Sequence, residues 1–321
     1  MMVSFLGGCV SNTPAVERAV SISYVSDPKG LGTDSTVLVE SAMDEIGEYY
    51  NFKKEIYDVS DLDDVKGVAQ KAVKDGANLY IGTSYAVNYE LLSAFEDKPN
   101  TKLAMIGTRV DTDKNNVVSI TFKMEEAAFL AGYMAASVST SGVVGYIGGF
   151  DSDYEEQHVG FYAGAKYKNP DITVVSAYTD SYNSSAKGKE AANSLKAQNA
   201  DVLYLNCGSC ALGITELFRG SEVKLILSDI YTVQSDEIIA QSKKYIKNAA
   251  LYVIDEYLNN ELYSGEYRYG VSYGFVDLQI NKADNELKNE LSDLRSKIRT
   301  SALKIPFSMD EADMFLKENA L

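Results

Sequence analysis

The sequence predicts an α/β protein of two doubly wound lobes. Two observations carry that prediction. Short apolar runs alternate with amphipathic stretches along most of the chain, and the alternation falls into two consecutive series of four or five units. Alternation at this pace specifies βαβ units and parallel sheets. The 321 residues, 45% of them hydrophobic, also suffice for two separate cores. One sheet of nine or more strands is the less favoured arrangement of the same units.

The first series places strands at 19–25, 55–59, 78–82, 102–106 and 117–122. The second places them at 143–147, 173–178, 201–206 and 224–227. Helices are expected at 37–50, 62–74 and 186–198 between them. In the second of these, Leu62, Val65, Val68 and Ala69 recur at helical spacing. The tail differs, with a long strand at 269–278, a charged helix at 283–299, a short strand at 302–306 and a capping helix at 309–321. No solenoid period interrupts the pattern.

Composition removes several function classes. A net charge of −16 argues against nucleic acid, whose binding rests on Lys and Arg contacts to phosphates. No run of about 18 apolar residues exists to span a bilayer. The chain has one histidine, His158, so a Ser-His-Asp triad or a multi-histidine metal site would depend on it alone. It reads as a surface helix residue, and neither an enzyme nor a cofactor is expected. Cys207-Gly208-Ser209-Cys210 has the spacing of a redox motif or half a zinc site. No second pair or nearby histidine completes a metal site. A loop disulfide or a plain pair of thiols is expected instead.

At the amino terminus, Leu6-Gly7-Gly8-Cys9 resembles a bacterial-type lipobox, in which the cysteine is acylated. The polar stretch after it reads as a tether. Six residues before Gly7 are too few for a basic region and an apolar core of roughly 7–15 residues. Residues 1–18 are therefore read as a truncated signal, lipobox and tether, with an acyl anchor on Cys9 that holds without spanning.

Open parallel sheets bind ligands beyond the carboxyl ends of their strands. That rule selects loops 26–34, 83–85 and 107–109 in the first lobe. In the second it selects 148–154, 179–185, 207–210 and 228–231. These loops are rich in Gly, Ser, Asp and Tyr. Such residues supply turns, hydrogen bonds and stacking faces, but no matched acid and base. Binding is expected rather than catalysis.

Several segments together resemble one family. They are Phe122-Lys123-Met124-Glu125-Glu126-Ala127-Ala128-Phe129-Leu130-Ala131-Gly132-Tyr133, then Val144-Gly145-Tyr146-Ile147-Gly148-Gly149, then Gly160-Phe161-Tyr162-Ala163-Gly164. Ala186-Lys187-Gly188-Lys189, Gly274-Phe275-Val276-Asp277-Leu278 and Lys304-Ile305-Pro306 complete the set. In this order they resemble the basic membrane protein family of ABC transporter substrate-binding lipoproteins, many of which bind purine nucleosides. The resemblance implies Rossmann-like lobes joined by a hinge, the type I periplasmic-binding-protein architecture. It places one lobe at 19–122 plus about 245–275 and the other at 123–244 plus about 276–321. The hinge is expected near 122–125, 242–245 and 276–280. The helix from Met124 carries small residues along one face, which suit close packing on a sheet. It is expected to be structural.

The resemblance also implies a pocket. Asp27 matches a first-loop acceptor, and Asp34 lies near a second acidic position. Ser84 and Tyr85 follow the third strand, with Tyr85 at an aromatic position. Tyr182 is a stacking residue, and Gly208 lies in a turn offering backbone NH groups. Asp229 matches an acid that holds ribose hydroxyls, and Lys244 a nearby lysine. Val37-Leu38-Val39 and Gly107 stand where the family usually carries an aromatic stretch and a base-reading Asp. The expected ligand is a small polar molecule, with a nucleoside leading and another metabolite behind it. The expected partners are an ABC permease and ATPase, at the outer face of the cell membrane. A sensor presenting its ligand state to a signalling partner is the alternative.

Overall fold

A computed structural model of the protein describes residues 20–28, 35–96, 98, 100–151, 155–229 and 233–319. The chain begins with β1 (Val20–Val25), α1 (Ser35–Gly47), β2 (Phe52–Tyr57), α2 (Val65–Asp75), β3 (Leu79–Gly82), α3 (Tyr85–Ala94), β4 (Lys102–Ile106) and β5 (Val117–Phe122). It crosses through Lys123 into α4 (Met124–Val138) and builds β6 (Val143–Gly148), α5 (Glu155–Lys168), β7 (Thr173–Tyr178), α6 (Ser185–Ala197), β8 (Val202–Asn206), α7 (Cys210–Phe218), β9 (Lys224–Ser228) and β10 (Ile238–Lys244). A second crossing at Tyr245 leads to α8 (Ile246–Leu258) and β11 (Gly265–Tyr269). The third crossing, a short 3-10 turn at Val271–Tyr273, leads to β12 (Val276–Ile280), α9 (Asn285–Arg299) and α10 (Met309–Glu318).

Two six-stranded sheets result. The first has the order β11-β5-β4-β3-β1-β2, and every neighbouring pair is parallel. The second has the order β12-β10-β9-β8-β6-β7, with β12 antiparallel at its edge. Both reverse direction beside their first strand, giving switch points between β1 and β3 and between β6 and β8. The central strands β3 and β8 are buried throughout, so they read as continuous apolar runs. The helices follow the same logic. In α2, Val65, Ala69 and Ala72 point inward at helical spacing. Among the described residues, side-chain caps start three helices, with Asp284 Oδ1 accepting from Leu287 N at 2.8 Å in the firmest.

The three crossings are tied together by their backbones. Lys123 N donates to Tyr269 O at 2.9 Å, and Tyr245 N donates to Phe275 O at 2.8 Å. The first and second crossings therefore hydrogen-bond to opposite ends of the third.

α4 is buried from Met124 through Ala135. It was expected against a sheet, yet its closest partner is α5. A Cβ on Gly132 would lie 2.0 Å from Phe161 O, one on Gly160 2.3 Å from Glu125 O, and one on Gly164 1.9 Å from Phe129 O. The two helices touch backbone to backbone, which explains three glycines of the signature segments.

Other expectations need correction. The stretch 269–278 is not one strand. It breaks at 270–275, where Gly274 takes a left-handed φ of 68°, and feeds one strand to each sheet. Residues 276–280 are a strand, and the chain crosses just before them. β10 was not foreseen. Residues 302–306 form no strand.

Candidate functional site

At the carboxyl ends of the strands, a cavity of about 140 Å³ is walled by both halves of the molecule. The first sheet's side contributes Asp27, Ser35, Thr83, Ser84, Gly107, Phe122 and Ile246. The second contributes Asp229 and Lys244. Four expected residues, Asp27, Ser84, Asp229 and Lys244, therefore meet in one space.

The first wall sits at the switch point. Asp27 follows β1, and Thr83 and Ser84 follow β3. Thr83 Oγ1 donates to Asp27 Oδ2 at 2.8 Å, and the Tyr24 hydroxyl lies 3.0 Å from Thr83 Oγ1. The Thr83 proton is committed to the carboxylate, so Tyr24 is the donor to Thr83. Burial and the nearby Asp27 charge push the Tyr24 phenol well above its ordinary value, so it stays protonated. The other oxygen of Asp27, Oδ1, is buried without a hydrogen-bond partner among the described residues, and so is Ser84 Oγ. Ser84 sits at the N-cap of α3 without capping it. Buried polar atoms left this way are costly, and a donor-bearing ligand would satisfy them.

Gly107 shapes the same wall. Its φ of 80° puts it in the left-handed region, and its NH donates to Ile120 O at 2.7 Å. An aspartate there would strain this backbone. The glycine leaves open the space beside Thr83.

The second wall rests on a buried polar platform. Gln157 Oε1 accepts from the Tyr204 hydroxyl at 2.9 Å and from Ser228 Oγ at 2.8 Å. The Tyr204 hydroxyl also lies 3.2 Å from Ser242 Oγ. These bonds link β8, β9 and β10 beneath Asp229, whose NH donates to Ser242 O at 2.9 Å. Asp229 takes φ 52°, and its Oδ2 pairs with Lys244 Nζ at 3.0 Å. The pair is one-quarter exposed on each side, so solvent screens it only in part.

Tyr182 and Gly208 form a separate group on the second lobe. A Cβ on Gly149 would meet the Tyr182 ring at 2.1 Å, and one on Gly208 would meet Tyr182 O at 2.7 Å. Phe150 crosses the Tyr182 ring edge-on at 5.4 Å. Neither Tyr182 nor Gly208 lines the cavity. Tyr85 is 70% exposed and stacks on Tyr89, also away from it. Asp34 and Cys9 lie outside the described residues. The lining residues missed by sequence reasoning are Ser35, Thr83, Phe122 and Ile246. Thr83 carried a signal, since it opens a loop that the strand-end rule selects.

His158 is half-buried against aromatic rings instead of standing free on the surface. It stacks on Tyr146 at 4.6 Å, bonds the Tyr178 hydroxyl at 3.0 Å, and burial lowers its pKa. Cys207 and Cys210 are free, fully buried thiols, and Cys210 Sγ donates to Ser181 O at 3.3 Å. Burial pushes the Cys207 thiol up, away from the reactive thiolate. Among the described residues no group of three or more His, Cys, Asp or Glu could hold a metal, and no helix is long and apolar enough to cross a membrane.

A larger cavity, about 540 Å³, lies beside the crossings against 301–307 and α10. Its buried carboxylates are already engaged: Arg268 pairs with Glu125, and Glu126 accepts from Val271 N. The strand-end cavity is the stronger ligand candidate because its orphaned atoms still need partners.

A family profile described as ABC transporter substrate-binding protein PnrA-like matches residues 35–309. The chain belongs to this family. Basic membrane protein B of Borreliella burgdorferi is 28% identical over 275 residues, covering 81% of this chain and 76% of that protein. The ABC transporter nucleoside-binding protein BmpA of Lactococcus lactis subsp. cremoris is 24% identical over 337 residues, covering 95% of each. Basic membrane protein A of Borreliella afzelii is 28% identical, with the match covering 65% of its length. Among solved structures, a solute-binding protein from Aeropyrum pernix aligns with a TM-score of 0.66 at 19% identity, covering 94% of this chain and 97% of that one. A transcriptional activator of comK from Bacillus halodurans aligns at 0.74 and 19%, covering 90% and 100%. These structural likenesses fix the periplasmic-binding-protein fold of this PnrA-like chain.

Proposed function

We infer that this PnrA-like protein captures a small, donor-rich polar solute between its lobes and delivers it to an ABC permease and ATPase outside the cytoplasm. One observation carries the reading. Both lobes wall a single strand-end cavity in which Asp27 Oδ1 and Ser84 Oγ have no partner among the described residues. A nucleoside is the leading ligand class, supported by the named Lactococcus relative.

In this reading Asp27 and Ser84 bind one end of the ligand. Asp229 takes a pair of hydroxyls, with Lys244 balancing its charge. Phe122 supplies the apolar face. Tyr85, Tyr182 and Gly208 lie outside the cavity lining, and the lobes open and close over ligand by rotating about the crossings, as hinge closure in such proteins does. An acylated Cys9 would tether the whole to the membrane, and mass spectrometry of native protein finding an unmodified Cys9 would remove the tether.

Thermal-shift and calorimetric titration against adenosine, guanosine, inosine, uridine, simple sugars and small amides tests the ligand. Ligand at 100 times its Kd adds about 2.7 kcal/mol of stability. A response to sugars or amides and to no nucleoside would replace the nucleoside with another metabolite.

A further inference from the structure

Arg268 stands in β11 of the first sheet, yet its guanidinium reaches the second lobe. Its Nη2 donates to Glu125 Oε2 at 3.0 Å and to Glu156 Oε2 at 2.8 Å. Glu125 lies in the first turn of α4 and Glu156 in the first turn of α5. Because these helices touch backbone to backbone, both carboxylates ride on one rigid block. Among the described residues, every other ion pair stays within one lobe or beside one crossing.

The neighbouring glutamate secures the pivot. Glu126 Oε2 accepts from Val271 N at 2.7 Å, and a Cβ on Gly270 would come within 2.1 Å of that same oxygen. The first turn of α4 thus grips the third crossing with one carboxylate and Arg268 with the next. The Phe307 ring lies 5.7 Å from the guanidinium carbon.

The two acids have different leverage. Glu125 is three residues beyond Phe122, next to the first crossing. Glu156 follows the loop at the carboxyl end of β6, on the cleft-facing end of the second lobe. Glu156, farther along the chain from the crossings, is the carboxylate that ties the body of the second lobe to Arg268. The bridge to Glu156 is present in the same conformation in which both lobes wall one cavity.

We propose that Arg268 is a positioning residue for ligand capture, and that its bridge to Glu156 is a closure contact holding the lobes together around the cleft. Glu125 keeps the guanidinium aimed. This rests on the two-lobed trap described above. Affinity scales with the fraction of molecules already competent to close on ligand, so loss of one charge-assisted bond of this kind lowers it roughly three- to tenfold. The loss falls on dissociation, because the bridge holds the lobes over bound ligand.

The test combines small-angle X-ray scattering with stopped-flow nucleoside binding on the full chain. Arg268→Met and Glu156→Gln are expected to enlarge the radius of gyration of the ligand-free protein and to raise koff roughly three- to tenfold. Arg268→Lys, which keeps the charge but loses the planar fork, should recover part of both effects. A purely local packing role would move neither the radius nor koff. Wild-type scattering and wild-type rates in both variants would overturn the proposal. Glu156 is about one-third exposed, so Glu156→Gln carries the test even if Arg268→Met fails to fold. Should the wild type bind none of the nucleosides, the trap's ligand reading fails. The scattering of ligand-free variants still decides the clasp, and an unchanged radius overturns it.

Discussion

Thr83 donates its hydroxyl proton to Asp27 at 2.8 Å and leaves the second carboxylate oxygen buried without a partner among the described residues. One oxygen is thus fixed by the fold and one is left for ligand. Asp27→Ala should therefore weaken ligand binding by more than tenfold, with little loss of stability. Thr83→Val should do both kinds of damage, since it strips partners from Tyr24 and Asp27 at about 1–3 kcal/mol for a buried group left unpaired. Calorimetric titration and urea unfolding separate the two. Equal loss of binding and stability in Asp27→Ala would place this carboxylate in the scaffold.

The Lys244–Asp229 pair gives a second prediction. Partly exposed pairs add at most about 1 kcal/mol to stability. Lys244→Met should therefore leave the melting temperature nearly unchanged while lowering ligand affinity, because Asp229 loses a countercharge inside the cleft. A double-mutant cycle with Asp229→Asn, read in binding and in unfolding, checks that the coupling is larger in binding.

Two glycine substitutions should act with opposite sign. Gly164→Ala forces a methyl into the Phe129 carbonyl and should cost about 1–3 kcal/mol or more. Gly67 lies in exposed α2, and nothing stands within 4 Å of a Cβ there. Gly67→Ala should stabilise by about 0.5–1 kcal/mol. Denaturant midpoints at matched slopes measure both.

Stability should also depend on pH through Glu125. Burial raises its pKa to about 7, while Arg268 opposes the shift and Glu156 and Glu126 add to it. The folded state then holds a proton that the unfolded chain has released between pH about 4.5 and 7. Stability contributed by this group falls as pH rises through that window, by up to on the order of 3 kcal/mol. Glu125→Gln should flatten this part of the urea-midpoint profile, gaining over wild type at pH 8 and not at pH 4. An unchanged profile would mean that Arg268 fully compensates the buried charge.

Much of the fold was legible because buried parallel strands are continuous apolar runs. The runs at 102–106 and 117–122 coincide with the largely buried β4 and β5. β10 was missed because Gln241, Ser242, Lys243 and Lys244 make it polar toward the cleft end, where it serves the site. Breaking 269–278 into two strands depends on a left-handed turn at Gly274 and on pairing with two distant sheets, neither of which local pattern carries. The placement of Asp27, Ser84 and Asp229 beside the cavity was legible from the strand-end rule, and that of Lys244 from the family resemblance. Phe122 and Ile246 were not, because apolar residues beside a crossing look like core. His158 was misjudged for a related reason: a polar residue on an amphipathic stretch gives no sign of the aromatic stack that covers it.

The hydrogen-bonded crossings bear on biosynthesis. A nascent chain that has reached Lys244 has made ten strands, five for each sheet, yet each sheet still lacks one of its two edge strands. The first sheet must wait for 265–269 before β5 is covered. Proteins emerge from the ribosome amino terminus first, at about 5–20 residues per second. The amino-terminal lobe therefore cannot mature before its neighbour has been synthesised. Truncation ahead of β11 should leave two unfinished, aggregation-prone halves in place of one finished domain.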